Sequence, residues 1–258
     1  MIISTRYLYV ALTSCLLALT GCMDITGRGP APLARVVTPS EPQTYSRVGQ
    51  VYCMRGWLGI FSTGMDTLAE KIDKEVGAPA VSVANEEWYT LREWIVAKHQ
   101  EGKINEPLVL LGHSYGADDM IRVAKFIQDK GITVDLMILL DPVTPPAIPT
   151  NVKRCLVIYK SRPATDWYPA WRGVPTEAED PKITMLTNID LRKTDVGWDT
   201  SVVDHINIEK VASVHNMVME EIKKYCPTRE SWSQQNHQPS ATVPHISAQR
   251  APSGPASQ

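Results

Sequence analysis

Five residues near the middle of the chain, Gly112-His113-Ser114-Tyr115-Gly116, form a G-x-S-x-G pattern around a serine. An apolar run at residues 109–111 predicts a buried strand before the pattern, and apolar residues recur at helical spacing after it, at Met120, Ile121, Ala124 and Ile127. A serine between such a strand and helix adopts a strained conformation that presents its hydroxyl, and the two glycines leave room for the chain to turn back. The pattern predicts that Ser114 is a nucleophile for acyl transfer.

A serine hydroxyl is a weak nucleophile at neutral pH, so it needs an imidazole as base and a carboxylate that orients the imidazole. His205, between the last predicted strand and the last predicted helix, is the preferred base. His215 falls on the apolar face of that helix, where a packed or hydrogen-bonded histidine is expected. Asp141 ends the strand that follows Ser114 and is the preferred acid, while Asp166, one strand later, stays an alternative.

Acyl transfer passes through an oxyanion, which preorganised backbone amides stabilise. The amide of Tyr115, directly after the serine, is the first predicted donor. The stretch Arg55-Gly56-Trp57 follows the first predicted strand, and we expect the second donor there, at the amide of Trp57, with Leu58 as the next choice. His113 is expected to point away from the serine and to support the turn.

The elements that must position these residues alternate along the chain. Short apolar runs predict six strands, at residues 51–54, 80–83, 109–111, 134–140, 155–159 and 183–188. Apolar positions at helical spacing predict the helices, at about residues 65–76, 88–99, 117–130 and 208–225. This alternation predicts an α/β fold, a mostly parallel sheet with helices on both faces, whose functional residues lie at the carboxyl ends of the strands.

Residues 161–180 form the longest stretch without helical or strand periodicity inside this region. They contain three prolines together with Trp167, Tyr168 and Trp171. A loop of this length is usually functional or disordered. Two interpretations remain open: the aromatic residues form the wall of an apolar substrate pocket, or they cover the edge of the sheet.

The order Ser114, Asp141, His205, with the motif on a strand-turn-helix unit, resembles the α/β-hydrolase superfamily over residues 48–225. An acid on the strand directly after the nucleophile is similar to thioesterase domains and some lipases. The sequence departs from the family pattern twice: Arg55 replaces the usual histidine of the oxyanion loop, and no inserted cap domain precedes His205. The resemblance implies a serine hydrolase that works through an acyl-serine without a metal or organic cofactor.

The first residues of the chain predict export. Arg6 precedes an apolar stretch at residues 8–20 that is too short to span a membrane, so residues 1–21 are interpreted as a signal peptide. Leu19-Thr20-Gly21-Cys22 resembles the lipobox of bacterial lipoproteins, which implies an acylated Cys22 and membrane attachment. Met23 after the cysteine favours the outer membrane, facing the periplasm.

The length and composition of the chain predict how it divides into a folded core, a tether and a tail. With 258 residues, 43% of them apolar, the chain can bury one substantial core, predicted at residues 48–226. Proline-bearing residues 22–47 predict a tether, and residues 227–258, rich in Ser, Gln and Pro, predict a disordered tail. Lys and Arg number 26 against 28 Asp and Glu, a net charge of -2 without a basic cluster, so nothing in the composition indicates a nucleic-acid partner and none is expected.

Cysteine usage adds three expectations. Cys53 lies in an apolar strand and is interpreted as a small buried apolar residue, while Cys155 and Cys226 are candidates for a disulfide in an exported protein. No cysteine or histidine spacing indicates a metal site.

Export also bears on the substrate. Coenzyme A and carrier-protein thioesters are scarce outside the cytoplasm, so we expect a small carboxylic ester or lipid-like substrate. A thioesterase or acyltransferase of the same fold and a catalytically silent binding or scaffold protein of the envelope are the alternatives.

Overall fold

The computed structural model describes residues 45–56, 62–104, 106–164, 166–168 and 172–236. Six strands form one sheet in which every neighbouring pair is parallel. The strands are β1 (Gln50–Met54), β2 (Ala80–Val83), β3 (Leu108–His113), β4 (Leu136–Leu140), β5 (Arg154–Tyr159) and β6 (Met185–Asp190), and their order across the sheet is β2-β1-β3-β4-β5-β6. The predicted parallel sheet is therefore confirmed, and the carboxyl ends of all six strands lie at one edge.

Two strands begin two residues later than the sequence predicts. β4 begins at Leu136 because Val134 forms only an isolated bridge with Val152. β6 begins two residues later than predicted because Ile183 lies in a turn. The amide of Ile183 donates a hydrogen bond to Asp180 O. In each case the prediction counted an apolar residue of the preceding segment as part of the strand.

Within the described residues, five α-helices accompany the sheet. They are α1 (Gly64–Lys71), α2 (Trp88–Gln100), α3 (Tyr115–Gln128), α4 (Ala212–Tyr225) and α5 (Arg229–Asn236). A π-helical turn, Ile72–Val76, continues α1 and ends at Gly77, whose left-handed conformation (φ 76°) suits a residue without a Cβ. Short 3₁₀ segments, Asn85–Glu87 and Ile208–Lys210, precede α2 and α4.

Helices cover both faces of the sheet because the strands are apolar at consecutive positions. β1, β3, β4 and β5 are buried throughout, so alternate side chains enter separate cores. One core contains the apolar residues of α2 and α3, and the other contains those of α1 and α4. This packing fixes the elements that flank the site.

The predicted disulfide between Cys155 and Cys226 is wrong. Both thiols are free and fully buried, and they belong to the cores on opposite faces of the sheet. Cys53 is buried in the core beside α1, and the prediction of a small buried apolar residue is confirmed.

The folded region extends beyond its predicted ends. We expected disorder from residue 227, whereas α5 forms there. Its sequence has few large apolar residues, and it is attached instead by polar contacts: Arg229 Nε donates to Tyr45 O (2.6 Å) and Arg229 N donates to Ser46 O (3.0 Å). Arg47, placed in the expected tether, donates to Cys226 O (2.8 Å).

The predicted signal peptide, Cys22 and residues 237–258 lie outside the described residues. Within the part of the chain that the structure describes, none of the helices combines the length and apolarity needed to cross a bilayer.

Candidate active site

Ser114 occupies a strained turn between β3 and α3. Its φ of 57° and ψ of −128° lie where non-glycine residues are rare. A Cβ on Gly112 would overlap the backbone of Gly116, and a Cβ on Gly116 would overlap Arg55 O, so both glycines are required. Ser114 N donates to Leu140 O (2.9 Å), which joins the turn to the neighbouring strand.

The structure brings Ser114, His205 and Asp141 together. Ser114 Oγ lies 2.9 Å from His205 Nε2, and His205 Nδ1 lies 3.1 Å from Asp141 Oδ2. In the tautomer that fits both contacts, Nδ1–H donates to the carboxylate and Nε2 accepts from the serine hydroxyl. All three side chains are buried. The arrangement can remove the hydroxyl proton and stabilise the imidazolium that results.

Asp141 holds its position through both carboxylate oxygens. Oδ2 contacts His205, and Oδ1 accepts a hydrogen bond from the backbone amide of Lys160 (2.8 Å), directly after β5. Its φ is also positive, at 46°. Asp166 is engaged elsewhere, because both of its carboxylate oxygens accept from the amide of Arg162 at 2.8 to 2.9 Å. Of the two predicted acids, only Asp141 contacts the imidazole.

His113 contacts the loop that carries His205, whereas we expected it to support the turn around Ser114. Its Nε2 lies 3.0 Å from His205 O, and its Nδ1 lies 2.9 Å from Ser62 Oγ. Burial is the main cause that lowers the pKa of His113 well below its usual value, so the ring is neutral. The neutral ring donates to the carbonyl of His205 and accepts from Ser62, which connects the base to the region before α1.

Asp118 is a supporting residue that sequence reasoning missed. It lies on α3, fully buried, and accepts hydrogen bonds from the amides of Val143 (3.1 Å) and Thr144 (2.8 Å). Burial raises its pKa, an effect that these hydrogen bonds oppose. Asp118 thereby anchors the chain directly after Asp141. Asp118 belongs to no motif and lies to the side of the apolar face that the sequence predicts for this helix, so the sequence pattern gives no signal for it.

Arg55 does not replace a histidine functionally, because its side chain leaves the site. The guanidinium is buried against α1, where it pairs with Asp66, and Ser82 Oγ donates to the same carboxylate (2.6 Å). The backbone after Arg55 does approach the nucleophile, since a Cβ on Gly56 would lie 2.9 Å from Ser114 Cβ. Arg55 therefore fixes the start of the predicted oxyanion loop.

Two predicted oxyanion residues, Trp57 and Leu58, lie outside the described residues. Tyr115 is the first residue of α3, next to Ser114, where the sequence places it. A developing negative charge at this helix N-terminus is favoured by the helix dipole.

The exposure of two aromatic residues in the loop after β5 argues against one of the two interpretations of this loop, namely that its aromatic residues cover the sheet edge. Trp167 is 78% exposed and Tyr168 is 47% exposed, so neither covers the sheet edge as a buried residue would. Trp167 Nε1 donates to Ala164 O (3.1 Å), within the same loop. Trp171 lies outside the described residues.

A groove of about 510 Å³ lies away from Ser114, between the last two strands and α4. Its lining combines apolar residues, including Leu156, Ile189, Trp198 and Met217, with charged and polar ones such as Arg154. No group of three or more histidine, cysteine or acidic side chains within the described ranges is arranged to hold a metal ion.

Solved structures similar to this chain include esterases and thioesterases. An esterase from the archaeon Pyrobaculum calidifontis matches with 22% identity and a TM-score of 0.31, over 40% of this chain and 39% of that one. The NocB thioesterase domain from the nocardicin cluster matches with 11% identity and a TM-score of 0.43, over 67% and 93%. A mutant of the esterase rPPE matches with 13% identity and a TM-score of 0.44, over 74% and 77%. These similarities concern the fold alone. No protein-family model and no curated protein matches the chain.

The fold and the site define a structure of the α/β-hydrolase type. The parallel sheet carries Ser114 after β3, Asp141 after β4 and His205 after β6, in the chain order that the resemblance implies. The resemblance in fold is thus confirmed.

Proposed function

We propose that the protein is a serine hydrolase that cleaves a carboxylic ester or lipid-like substrate through an acyl-serine intermediate. The contacts from Ser114 Oγ to His205 Nε2 (2.9 Å) and from His205 Nδ1 to Asp141 Oδ2 (3.1 Å) carry this proposal. Each distance suits a hydrogen bond, and residues of neighbouring elements support each of the three side chains.

The reaction follows from this geometry. His205 Nε2 accepts the proton of Ser114 Oγ as the oxygen attacks the acyl carbon, and Asp141 stabilises the imidazolium. The amide of Tyr115 is the proposed donor to the tetrahedral oxyanion, and the amide of Trp57 remains the second donor predicted from the sequence. Collapse breaks the bond to the leaving alcohol, which takes the proton from His205. A water molecule, activated by the same imidazole, then hydrolyses the acyl-serine.

The proposed substrate and location rest on the sequence. The predicted export and the predicted acylation of Cys22 favour an ester or lipid over a coenzyme A thioester, and the exposed side chains of Trp167 and Tyr168 in the loop after β5 offer apolar surface for such a substrate. We also propose a location: the protein belongs to the bacterial cell envelope, where acylated Cys22 anchors it to the outer membrane, facing the periplasm. Mass spectrometry of the membrane fraction should find Cys22 acylated, whereas a soluble chain that retains Met1 contradicts the anchor.

A fluorophosphonate probe tests the activity directly. Wild-type protein should be labelled at Ser114, Ser114→Ala should not be labelled, and Ser233→Ala on α5 should react as the wild type does. Absence of wild-type labelling at Ser114 would favour a silent binding protein. For the labelled enzyme, matched p-nitrophenyl esters and acyl-coenzyme A thioesters distinguish the substrate classes. Preference for the thioester by kcat/KM would replace the ester proposal with a thioesterase.

A further inference from the structure

Lys160, the first residue after β5, contacts the loop that leads to His205. Its Nζ donates to three backbone carbonyls: Thr200 O at 2.6 Å, Val203 O at 2.9 Å and Ser201 O at 3.1 Å. A lysine ammonium has three N–H donors and no acceptor. The three carbonyls therefore match the full donor capacity of the group.

The backbone of Lys160 contacts the other side of the same site. Its amide donates to Asp141 Oδ1 at 2.8 Å, while Asp141 Oδ2 contacts His205. One residue thus joins the acid, through its main chain, to the segment that precedes the base, through its side chain. Two further hydrogen bonds reach the same segment: Thr200 Oγ1 donates to Leu191 O at 2.8 Å, and Arg162 donates to Val203 O at 3.5 Å.

Hydrogen bonds within the His205 loop are mostly local. Asn207 Nδ2 donates to Val202 O (2.9 Å), and Asp204 Oδ1 accepts from the amides of Ile206 (2.9 Å) and Asn207 (3.0 Å). Such contacts set the shape of the loop but do not fix its distance from the sheet. The hydrogen bonds from Lys160 attach the loop to the sheet, because Lys160 directly follows β5, which is a buried strand of the sheet.

We propose that Lys160 is a positioning residue that holds the 200–203 segment so that His205 lies between Ser114 and Asp141. The proposal rests on the proposed hydrolase function. Lys160 contacts none of the reacting atoms and acts through the imidazole. Its removal should lower kcat rather than raise KM, because misplacement of the base by about 1 Å can reduce the rate about 100-fold.

Lys160→Met keeps the side-chain length and removes the ammonium. We expect kcat for an activated ester, and the rate of fluorophosphonate labelling, to fall about 10- to 100-fold with KM within about twofold of the wild type. Lys153→Met is the matched control: Lys153 lies directly before β5, at its opposite end, is 65% exposed and pairs with Asp135. It should retain wild-type kinetics. Lys160→Met with the same rates as Lys153→Met overturns the proposal.

A double-mutant comparison separates positioning from general destabilisation. In a His205→Ala background, Lys160→Met should reduce the residual labelling rate no further, since the residue that it positions is gone. An equal additional loss in that background overturns the proposal. Lys160→Cys treated with 2-bromoethylamine restores an ammonium at nearly the same length and should recover activity. Cys53, Cys155 and Cys226 are fully buried, and treated wild-type protein controls for their reaction.

Hydrogen exchange keeps the positioning claim separate from the hydrolase claim. The amides of residues 200–205 should exchange faster in Lys160→Met than in Lys153→Met, whether or not the protein hydrolyses esters. Unchanged exchange overturns the positioning role. If the wild-type protein is not labelled by the fluorophosphonate, but amide hydrogen exchange is faster in Lys160→Met, only the hydrolase function is overturned.

Discussion

Gly173 lies directly against the carboxyl group of Asp141, so close that a Cβ at position 173 would overlap Oδ1. The adjacent residues fix this approach, because Val174 N donates to Pro142 O (3.0 Å) and Arg172 Nε donates to Val143 O (2.7 Å). The second half of the long loop after β5 therefore covers the acid of the site and excludes water from its carboxylate.

Gly173→Ala should displace either Asp141 or residues 172–174. Misplacement of the acid lowers activity, and we expect kcat/KM for an activated ester to fall about 10- to 100-fold. Gly102→Ala is the control, since no atom lies within 4 Å of its added Cβ, although its φ of 65° should lower stability slightly. Wild-type kcat/KM in Gly173→Ala would show that the loop yields without disturbing the acid.

The choice of acid gives a second prediction. Asp141→Asn should lower kcat about 10⁴-fold, because an amide at this position favours the wrong imidazole tautomer and cannot balance the imidazolium charge. Asp166→Asn should retain kcat within about twofold, since Asp166 contacts Arg162 in its own loop. Steady-state kinetics on one ester compare the two variants. The opposite ranking contradicts the assignment of Asp141.

Local patterns in the sequence were sufficient to predict the sheet and the three residues that meet in the site, Ser114, Asp141 and His205. Ser114 and Asp141 each end a buried apolar run, and parallel strands bring such ends to one edge. His205 follows the last strand, so its loop lies at that edge as well. Short-range periodicity thus predicted the elements, and the rule for parallel sheets predicted their proximity.

Contacts between distant residues could not be predicted in this way. Lys160 and Asp118 are polar residues without a motif, and their roles depend on which carbonyls and amides the fold places near them. The disulfide prediction failed because sequence spacing does not show that Cys155 and Cys226 lie in different cores. α5 was missed because polar contacts with Tyr45 and Ser46, rather than an apolar face, attach it.

The buried pair of Arg55 and Asp66 gives a third prediction. Arg55 is 1% exposed, and its Nε donates to Asp66 Oδ1 at 2.7 Å. Arg55→Met leaves the carboxylate of Asp66 without its guanidinium, and breaking such a pair reduces the free energy of unfolding by about 3–5 kcal/mol. Urea unfolding measures this loss. As a control, Lys74→Met removes an exposed ammonium that pairs with the similarly exposed Glu70 and should lower stability less. Equal losses in the two variants would contradict the assigned role of the pair.

Glu209 is a fully buried carboxyl group on the 3₁₀ segment before α4. Among the residues that the structure describes, neither of its carboxylate oxygens has a hydrogen-bond partner, and Lys210 Nζ lies 3.5 Å from Oε1. Burial raises the pKa of Glu209 to about 8, an effect that Lys210 opposes. In the unfolded chain the same group titrates near its ordinary value of 4.5. Between these values the folded protein binds a proton that the unfolded chain does not.

This difference predicts the pH dependence of stability. The favourable contribution of protonated Glu209 is complete below pH 4.5 and is lost as pH rises towards 8, at no more than about 1.4 kcal/mol per pH unit. Glu209→Gln cannot titrate, so its free energy of unfolding, relative to the wild type, should rise between pH 5 and 8 and stay constant above. Urea unfolding at pH 5, 6.5, 8 and 9 measures the difference.

Glu220→Gln provides the matched control for this pH series. Glu220 lies exposed on α4, and a hydrogen bond from Lys223 lowers its pKa, so it is ionised throughout the range from pH 5 to 9 in both folded and unfolded chains. The stability of Glu220→Gln relative to the wild type should therefore not vary with pH. If Glu209→Gln behaves in the same way, the carboxyl group of Glu209 is ionised in the folded protein at neutral pH. Lys210 would then outweigh the effect of burial at this position, and the segment before α4 would hold an ion pair rather than a neutral acid.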